Sequence, residues 1–257
     1  MNVLTGLAVC ITGASSGIGA ACASAFAREG CNLLLTARRK DRIDALAASL
    51  TRQHAVRCHA MRLDVMRQEE VHRVFSSLPE DWRAIDILIN NAGLARGLSR
   101  LQEGSLQDWE EMIDTNIKGL LYVTRADVPF MVQRGRGHII NIGSIAGHQV
   151  YPSGNVYCAT KFAVNALTQG LKMDLLGTGI RVCSVSPGLV QTEFSEVRFR
   201  GDMERARQVY AHTRPLRPED VAEVAVFCAT RPPHVDISEV IVMPTDQASV
   251  HHVHRTT

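Results

Sequence analysis

Ser144, Tyr157 and Lys161 are the residues whose types and spacing could do chemistry, and all three fall within GSIAGHQVYPSGNVYCATKF at 143–162. Tyr157 and Lys161 are four residues apart, so a helix places them on one face. A free phenol titrates near ~10, but an ammonium held within ~4–6 Å favours the phenolate and can lower that value by ~1–3 units. A tyrosine in that setting is a usable acid and base near neutral pH. A serine at the end of the preceding strand would hydrogen-bond a carbonyl oxygen and hold it beside the phenol. Such a set suits proton exchange with an alcohol or a carbonyl. A Y-x-x-x-K pair is also an ordinary turn of an amphipathic helix, so the elements that position it must decide.

The apolar run at 7–11 reads as a buried strand entering the turn TGASSGIG at 12–19, after which a helical pattern continues to Gly30. Strand, glycine turn and helix start are what a pyrophosphate site requires. Glycines let the backbone approach the phosphates, and free N–H groups at the helix start face the anion. The spacing is G-x-x-x-G-x-G rather than G-x-G-x-x-G, and a plain tight turn would use the same residues. A second strand at 31–36 ends in Ala37-Arg38-Arg39-Lys40. An NAD site wants an acidic residue here for the ribose hydroxyls, whereas a 2′-phosphate wants arginine. Arg38 and Arg39 therefore favour NADP, with Arg38 as the phosphate ligand; Arg39 and Lys40 also fit the solvated first turn of the next helix.

A helix at 41–50 and a strand at 55–63 lead to Asp64-Val65. Open parallel sheets bind ligands beyond the carboxyl ends of their strands. Asp64 there would either accept from an adenine amino group or cap the helix carrying Val71, Val74 and Phe75. A strand at 85–89 ends in Asn90-Asn91-Ala92-Gly93, which are small enough to lie against a flat cofactor and are also common turn formers. A helical stretch at 105–134 has Asn116 in its middle, in a polar role or on a solvated face. A strand at 138–142 delivers Ser144, a helix at 155–176 carries Tyr157 and Lys161, and a strand at 180–185 ends in Pro187-Gly188. The polar, arginine-rich stretch 189–214 reads as a lid over the crevice. A helix at 218–230 and a strand at 237–243 precede a tail from about residue 244. Strands alternating with helices predict one α/β domain over 1–257, a doubly wound parallel sheet flanked by helices.

Composition narrows the function classes. A hydrophobic fraction of 46%, a charged fraction of 21% and a formal charge of +2 point to an ordinary globular protein without a polyanionic partner. No basic run is interleaved with aromatics, so nucleic acid is not expected. No apolar run reaches the ~18 residues a membrane span needs. Cys10, Cys22, Cys31, Cys58, Cys158, Cys183 and Cys228 contain no C-x-x-C and read as reduced core residues of a cytoplasmic protein. His251, His252 and His254 cluster in the tail, and proton exchange through a tyrosine calls for no metal there.

Taken together, TGASSGIG at 12–19, Asp64-Val65, NNAG at 90–93, Asn116, Ser144, Y-x-x-x-K at 157–161 and Pro187-Gly188 resemble the short-chain dehydrogenase/reductase family over residues 7 to about 244. The resemblance implies a Rossmann-type fold and an NADP(H)-dependent oxidoreductase acting on CH–OH groups of a small alcohol or carbonyl. It implies that Gly13, Ser15, Ser16, Gly17, Ile18 and Gly19 form the phosphate turn, that Asp64 and Val65 contact adenine, and that Asn90, Ala92 and Gly93 wall the adenosine ribose. By the same resemblance Tyr157 is the acid/base, Ser144 the carbonyl anchor, and Lys161 both the ribose ligand and the charge beside the phenol. Asn116 holds the water of a proton relay behind Lys161. Val190 and Thr192, following Pro187 and Gly188, match positions that hold the nicotinamide carboxamide. Helices equivalent to 105–134 and 155–176 pair between subunits in the family, which implies a homodimer or homotetramer.

Within the family, SSLPEDWRAIDILINNAG, DWEEMIDTNIKGL, GHIINIGSIAG and PGLVQTEFSEVRFRGD resemble the NADP-dependent serine and 3-hydroxy acid dehydrogenase group. This chain has Gln149-Val150-Tyr151 where that group has Trp-Pro-Tyr, and its MPTDQ run is similar to carbonyl and ketosteroid reductases. A broad carbonyl reductase is therefore the second reading, and an NADPH-sensing relative without turnover the non-enzyme one. A 3-hydroxy acid carries a carboxylate into a dry crevice, where a cation must meet it. Lys161 is committed to ribose and phenol, which leaves Arg198 and Arg200 in the lid, with Gln149 and Tyr151 as further substrate contacts.

Overall fold

Five consecutive residues of β1 (Ala8–Thr12) are buried, a pattern that suits the interior of a sheet covered on both faces. A computed structural model, which describes residues 3–256, shows that sheet. Its other strands are β2 (Asn32–Ala37), β3 (Cys58–Arg62), β4 (Ile87–Asn90), β5 (Gly137–Ile142), β6 (Ile180–Pro187) and β7 (Glu239–Val242). All pair in parallel, in the order β3-β2-β1-β4-β5-β6-β7. The order reverses on either side of β1, and the crevice between β1 and β4 is where such a sheet binds ligands.

Helices cover both faces. On one, α1 (Gly17–Arg28), α2 (Lys40–His54) and α9 (Pro218–Ala229) pack Phe26, Ile43 and Val221 against Val9, Ile11, Leu33 and Ile140. On the other, α3 (Gln68–Ser76) and α5 (Leu120–Arg134) bring Phe75, Val123 and Met131 to Cys10, Leu34, Leu88 and Ile139. Val9 and Ile11 face one layer and Cys10 the other, the period-two alternation of a strand. The remaining helices are α4 (Leu106–Ile113), α6 (Asn155–Asp174), α7 (Phe194–Arg198) and α8 (Met203–Tyr210). Among the described residues no helix is long and apolar enough to cross a membrane.

Two expectations change. The helix anticipated over 105–134 is α4, a wider π-helical turn at Asp114–Gly119, and α5. The lid at 189–214, expected without helices of its own, has its middle ordered by α7 and α8.

Asp127 on α5 is 1% exposed, and among the described residues no group hydrogen-bonds either carboxylate oxygen. Burial pushes its pKa up to about 7, Arg134 opposes this and Asp86 adds to it. The folded chain keeps this proton to about pH 7, whereas an unfolded aspartate releases it near ~4. The stability it contributes is thus full below pH ~4 and is lost as pH rises through 7. Asp127→Asn should raise Tm at pH 8, by about 1–3 kcal/mol of stability, with the gain shrinking toward pH 4. Thermal denaturation at the two pH values checks this; a gain independent of pH would contradict it.

Candidate active site

The glycine turn after β1 is shaped by close approach. A Cβ on Gly13 would lie 2.9 Å from Asn91 Nδ2 and 3.0 Å from Ala92 Cα; one on Gly19 would lie 2.5 Å from the Gly13 carbonyl oxygen. Gly13 and Gly17 have φ of +66° and +53°, which glycine adopts without strain. Ser16, at the N-cap of α1, makes no side-chain cap bond. The start of α1 therefore keeps its N–H groups for an anion, and the turn fits the pyrophosphate of a dinucleotide.

Arg39 supports this turn. Its Nε donates to Ser15 Oγ at 3.1 Å and its Nη2 to Ser16 Oγ at 2.7 Å, while Nη1 meets Glu193 Oε2 at 2.8 Å. Arg38 is exposed at the end of β2. The structure thus brings Arg39, rather than the expected Arg38, onto the phosphate turn, because side chains at a strand end alternate in direction.

A cavity of about 350 Å³ runs from this turn to Tyr157. Gly13, Ser16, Gly17, Ile18, Ala92 and Gly93 line one end, and Pro187, Gly188, Val190 and Thr192 form part of the wall. Ser144, Tyr157, Lys161, Tyr151 and Arg198 meet at the other end. Ser144 caps a short 3-10 turn, accepting from Ala146 N at 3.1 Å, and lines the cavity with the Tyr157 phenol. Tyr157 and Lys161 are buried one helical turn apart on α6. Lys161 Nζ donates to the Ile142 carbonyl at 2.9 Å, and burial pulls its ammonium down to about 8.

The electrostatics around Tyr157 differ from the expectation. Burial is the dominant influence and raises the phenol pKa; Tyr151 adds to this, and Arg198 and the Ser144 hydroxyl oppose it. The cation that favours the phenolate here is Arg198, whose guanidinium carbon lies 5.0 Å from the Tyr157 ring centroid, while Lys161 is held by the Ile142 carbonyl. Arg198 Nη2 also donates to the Tyr151 hydroxyl at 2.7 Å, and its buried Nε has no partner among the described residues. Phe194 packs against Tyr157 at 5.6 Å between ring centroids.

Asn116 lies in the π-helical turn and is 2% exposed, which removes the solvated-face alternative. Its Oδ1 accepts from Leu94 N at 2.8 Å, and its Nδ2 donates to the Leu94 carbonyl at 2.8 Å and to Thr160 Oγ1 at 3.0 Å. The amide therefore clamps the segment after β4 to the residue preceding Lys161.

Several expected contacts lie elsewhere. Asn90 points into the core, donating to Thr124 Oγ1 at 3.0 Å and Asn141 Oδ1 at 2.9 Å. Its neighbour Asn91 lines the crevice instead and donates to the Thr12 and Gly13 carbonyls at 2.8 and 3.2 Å. Asp64 turns back to accept from Met66 N at 3.1 Å, and Val65 packs beneath Gly119, so neither lines the cavity. Arg200, with φ of +52°, is drawn to Asp108 and Glu111 on α4 and is half exposed, so it does not serve the cavity. Gln149 is exposed and accepts from Val250 N at 3.1 Å. That bond belongs to a feature the sequence did not reveal: the tail folds back, with Gln247 and Val250 in the cavity wall. Glu193, Arg42 and Tyr210 were also missed, since their partners are distant in sequence.

Sheet, glycine turn and the Ser-Tyr-Lys set together define a dinucleotide-binding oxidoreductase. The family model for short chain dehydrogenase matches residues 7–202, and the chain belongs to that family. It is 47% identical over 241 residues to the NADP-dependent 3-hydroxy acid dehydrogenase of Salmonella typhi, spanning 93% of this chain and 96% of that protein. It is 46% identical to sulfoacetaldehyde reductase 2 of Chromohalobacter salexigens, over 93% and 95% of the two chains. Among solved structures, the closed form of serine dehydrogenase complexed with NADP+ superposes with a TM-score of 0.91 at 44% identity, over 97% of this chain and 100% of the other.

Proposed function

We propose that this chain is an NADP-dependent dehydrogenase of 3-hydroxy acids, interconverting a small hydroxy acid and the matching carbonyl acid. The observation that carries the reading is Arg198: a guanidinium at the reacting end of the cavity, with a buried, unpartnered Nε, beside Tyr157 and Tyr151. A planar fork with free donors suits bidentate binding of a carboxylate. The backbone holds it there, because Gly97 N donates to the Arg198 carbonyl at 2.9 Å. The 3-hydroxy acid and sulfoacetaldehyde relatives support the same reading, since both names describe substrates with an acid group near the reacting carbon.

The chain's residues divide the work. Bound NADP(H) supplies hydride exchange at its nicotinamide. Gly13, Ser16, Gly17 and Ile18 would hold its phosphates, Arg39 its 2′-phosphate and Lys161 its ribose, with Ala92, Gly93, Pro187, Gly188, Val190 and Thr192 as walls. Ser144 hydrogen-bonds the substrate oxygen and fixes it beside the phenol. Tyr157 takes the hydroxyl proton in oxidation and returns it in reduction. Arg198 and the Ser144 hydroxyl favour the phenolate that oxidation requires. Asn116 holds the backbone before Lys161 in register. The lid residues Phe194 and Arg198 exclude water from this end.

The chain also assembles, in this reading, as a twofold dimer or a pair of dimers. Leu121, Phe130 and Val132 on α5 and Phe162 and Met173 on α6 are exposed apolar residues, more than a free surface tolerates comfortably. Light scattering should give at least twice the chain mass at micromolar concentration; a monomer would contradict the assembly.

Arg198→Met should raise KM for 3-hydroxypropanoate at least tenfold while leaving KM for its methyl ester near wild type, and the lost support of the phenolate should lower kcat on both alike. Steady-state rates with NADP+ on acid and ester check this. An equal rise of KM on both would assign Arg198 to lid folding, and a wild-type preference for the ester would favour the broad carbonyl reductase. NADPH binding without turnover on any substrate would favour the sensor.

A further inference from the structure

α7 reaches both ends of the cavity. Its last residue, Arg198, lies over Tyr157. The residue at its N-cap, Glu193, lies beside the phosphate turn and shares its carboxylate between two arginines: Oε2 is 2.8 Å from Arg39 Nη1 and Oε1 is 2.6 Å from Arg42 Nη1. Arg39 is meanwhile fixed to Ser15 and Ser16. These contacts use one N–H on each nitrogen of its fork and leave one on each terminal nitrogen. An anion can therefore join Arg39 from the turn side without displacing Glu193.

The pairing is more than a chance surface contact. Burial pushes the Glu193 carboxyl up, yet the two guanidiniums together outweigh burial and hold it below the ordinary carboxylate range. An isolated exposed pair contributes little, but here one carboxylate is gripped by two forks, one of them fixed by two serine hydroxyls. The other side of α7 is anchored independently: Ser195 Oγ meets the Tyr210 hydroxyl at 2.8 Å, and Arg96 donates to the Val197 carbonyl. A short helix held this way moves as a unit, so what fixes Glu193 also fixes Phe194 and Arg198.

We propose that Glu193 is a positioning residue that couples occupancy of the 2′-phosphate subsite to closure of the lid. A phosphate on Arg39 gives its anchored guanidinium a further partner, the guanidinium holds Glu193, and α7 sets Phe194 and Arg198 against Tyr157. NADH has no 2′-phosphate and leaves the latch without that support. The inference rests on the NADP reading above, and it extends that reading from cofactor choice to the placement of the acid receptor.

Trypsin tests it on the full chain, because Arg200, Arg205 and Arg207 are exposed in the lid. Cleavage there is followed with saturating NADPH, with saturating NADH and without cofactor, for wild type, Glu193→Gln and Glu193→Asp, alongside NADPH affinity from its fluorescence. NADPH should slow wild-type cleavage at least threefold more than NADH. Glu193→Gln should lose that difference while still binding NADPH, and Glu193→Asp should keep part of it. In turnover, Glu193→Gln should raise KM for 3-hydroxypropanoate three- to tenfold, more than it lowers kcat. Equal protection by the two cofactors in wild type, or undiminished NADPH-specific protection in Glu193→Gln, would overturn the proposal. So would tighter NADPH binding by Glu193→Gln with protection unchanged, which would make Glu193 a competitor for Arg39. The proteolysis needs no substrate, so it stands apart from any failure of the acid-substrate reading.

Discussion

An ammonium buried within the fold is the constraint around which the site is built. Lys161 is 7% exposed and donates to the Ile142 carbonyl, the last residue of β5. Desolvating a cation costs several kcal/mol unless dipoles and partners offset it, so the surroundings of Lys161 have little freedom. The Gly147 turn must press against α6, since a Cβ there would meet the Lys161 carbonyl oxygen at 2.7 Å. Asn116 must reach both Leu94 and Thr160, and the π-helical turn at Asp114–Gly119 is the local adjustment that carries it there. Wider turns of this kind recur at functional sites because they redirect one side chain without ending the helix.

Tyr157 is subject to the same desolvation with the opposite consequence for its chemistry. Burial favours the neutral phenol, which suits proton donation to a carbonyl being reduced; oxidation of an alcohol needs the phenolate, which a nearby cation must support. Arg198 stands where it can do this while keeping donors for a substrate acid. One lid residue can thereby link substrate recognition to the protonation of the catalytic group. In the coupling proposed above, Glu193 and Arg39 bring the far end of the cofactor into the same mechanical unit. The lid is thus an ordered bridge between Arg39 at the glycine turn and Tyr157 rather than a loose cover.

The parts of this architecture visible in the sequence are those governed by local pattern. β1, β2, β4, β5 and β6 are buried runs of apolar residues bounded by glycine, proline or polar turns, and each shows as such. The glycine turn and the Tyr157–Lys161 spacing are short-range features of the same kind. What the sequence hides is decided by direction or by distant partners. Arg38 and Arg39 are adjacent and chemically alike, and only the backbone at the end of β2 determines which one meets Ser15 and Ser16. Asn90 and Asn91 pose the same ambiguity at the end of β4. The π-helical turn interrupts a helix for six residues without disturbing its apolar pattern enough to be noticed. Glu193 finds Arg39 and Arg42 across about 150 positions of sequence. Arg200 is captured by Asp108, a charge pair that no local pattern announces.

The proposed function converges on the transfer of one proton at the Tyr157 hydroxyl. The most direct measurement pairs turnover of 3-hydroxypropanoate by Tyr157→Phe with its NADPH affinity, read by fluorescence titration. The phenyl ring keeps the packing against Phe194 and Arg198 and loses only the transferable proton. Turnover should fall by about 10²–10⁴-fold, the usual contribution of general acid/base catalysis, with NADPH affinity within about threefold of wild type. A variant that retained more than about a tenth of wild-type turnover would contradict the assignment.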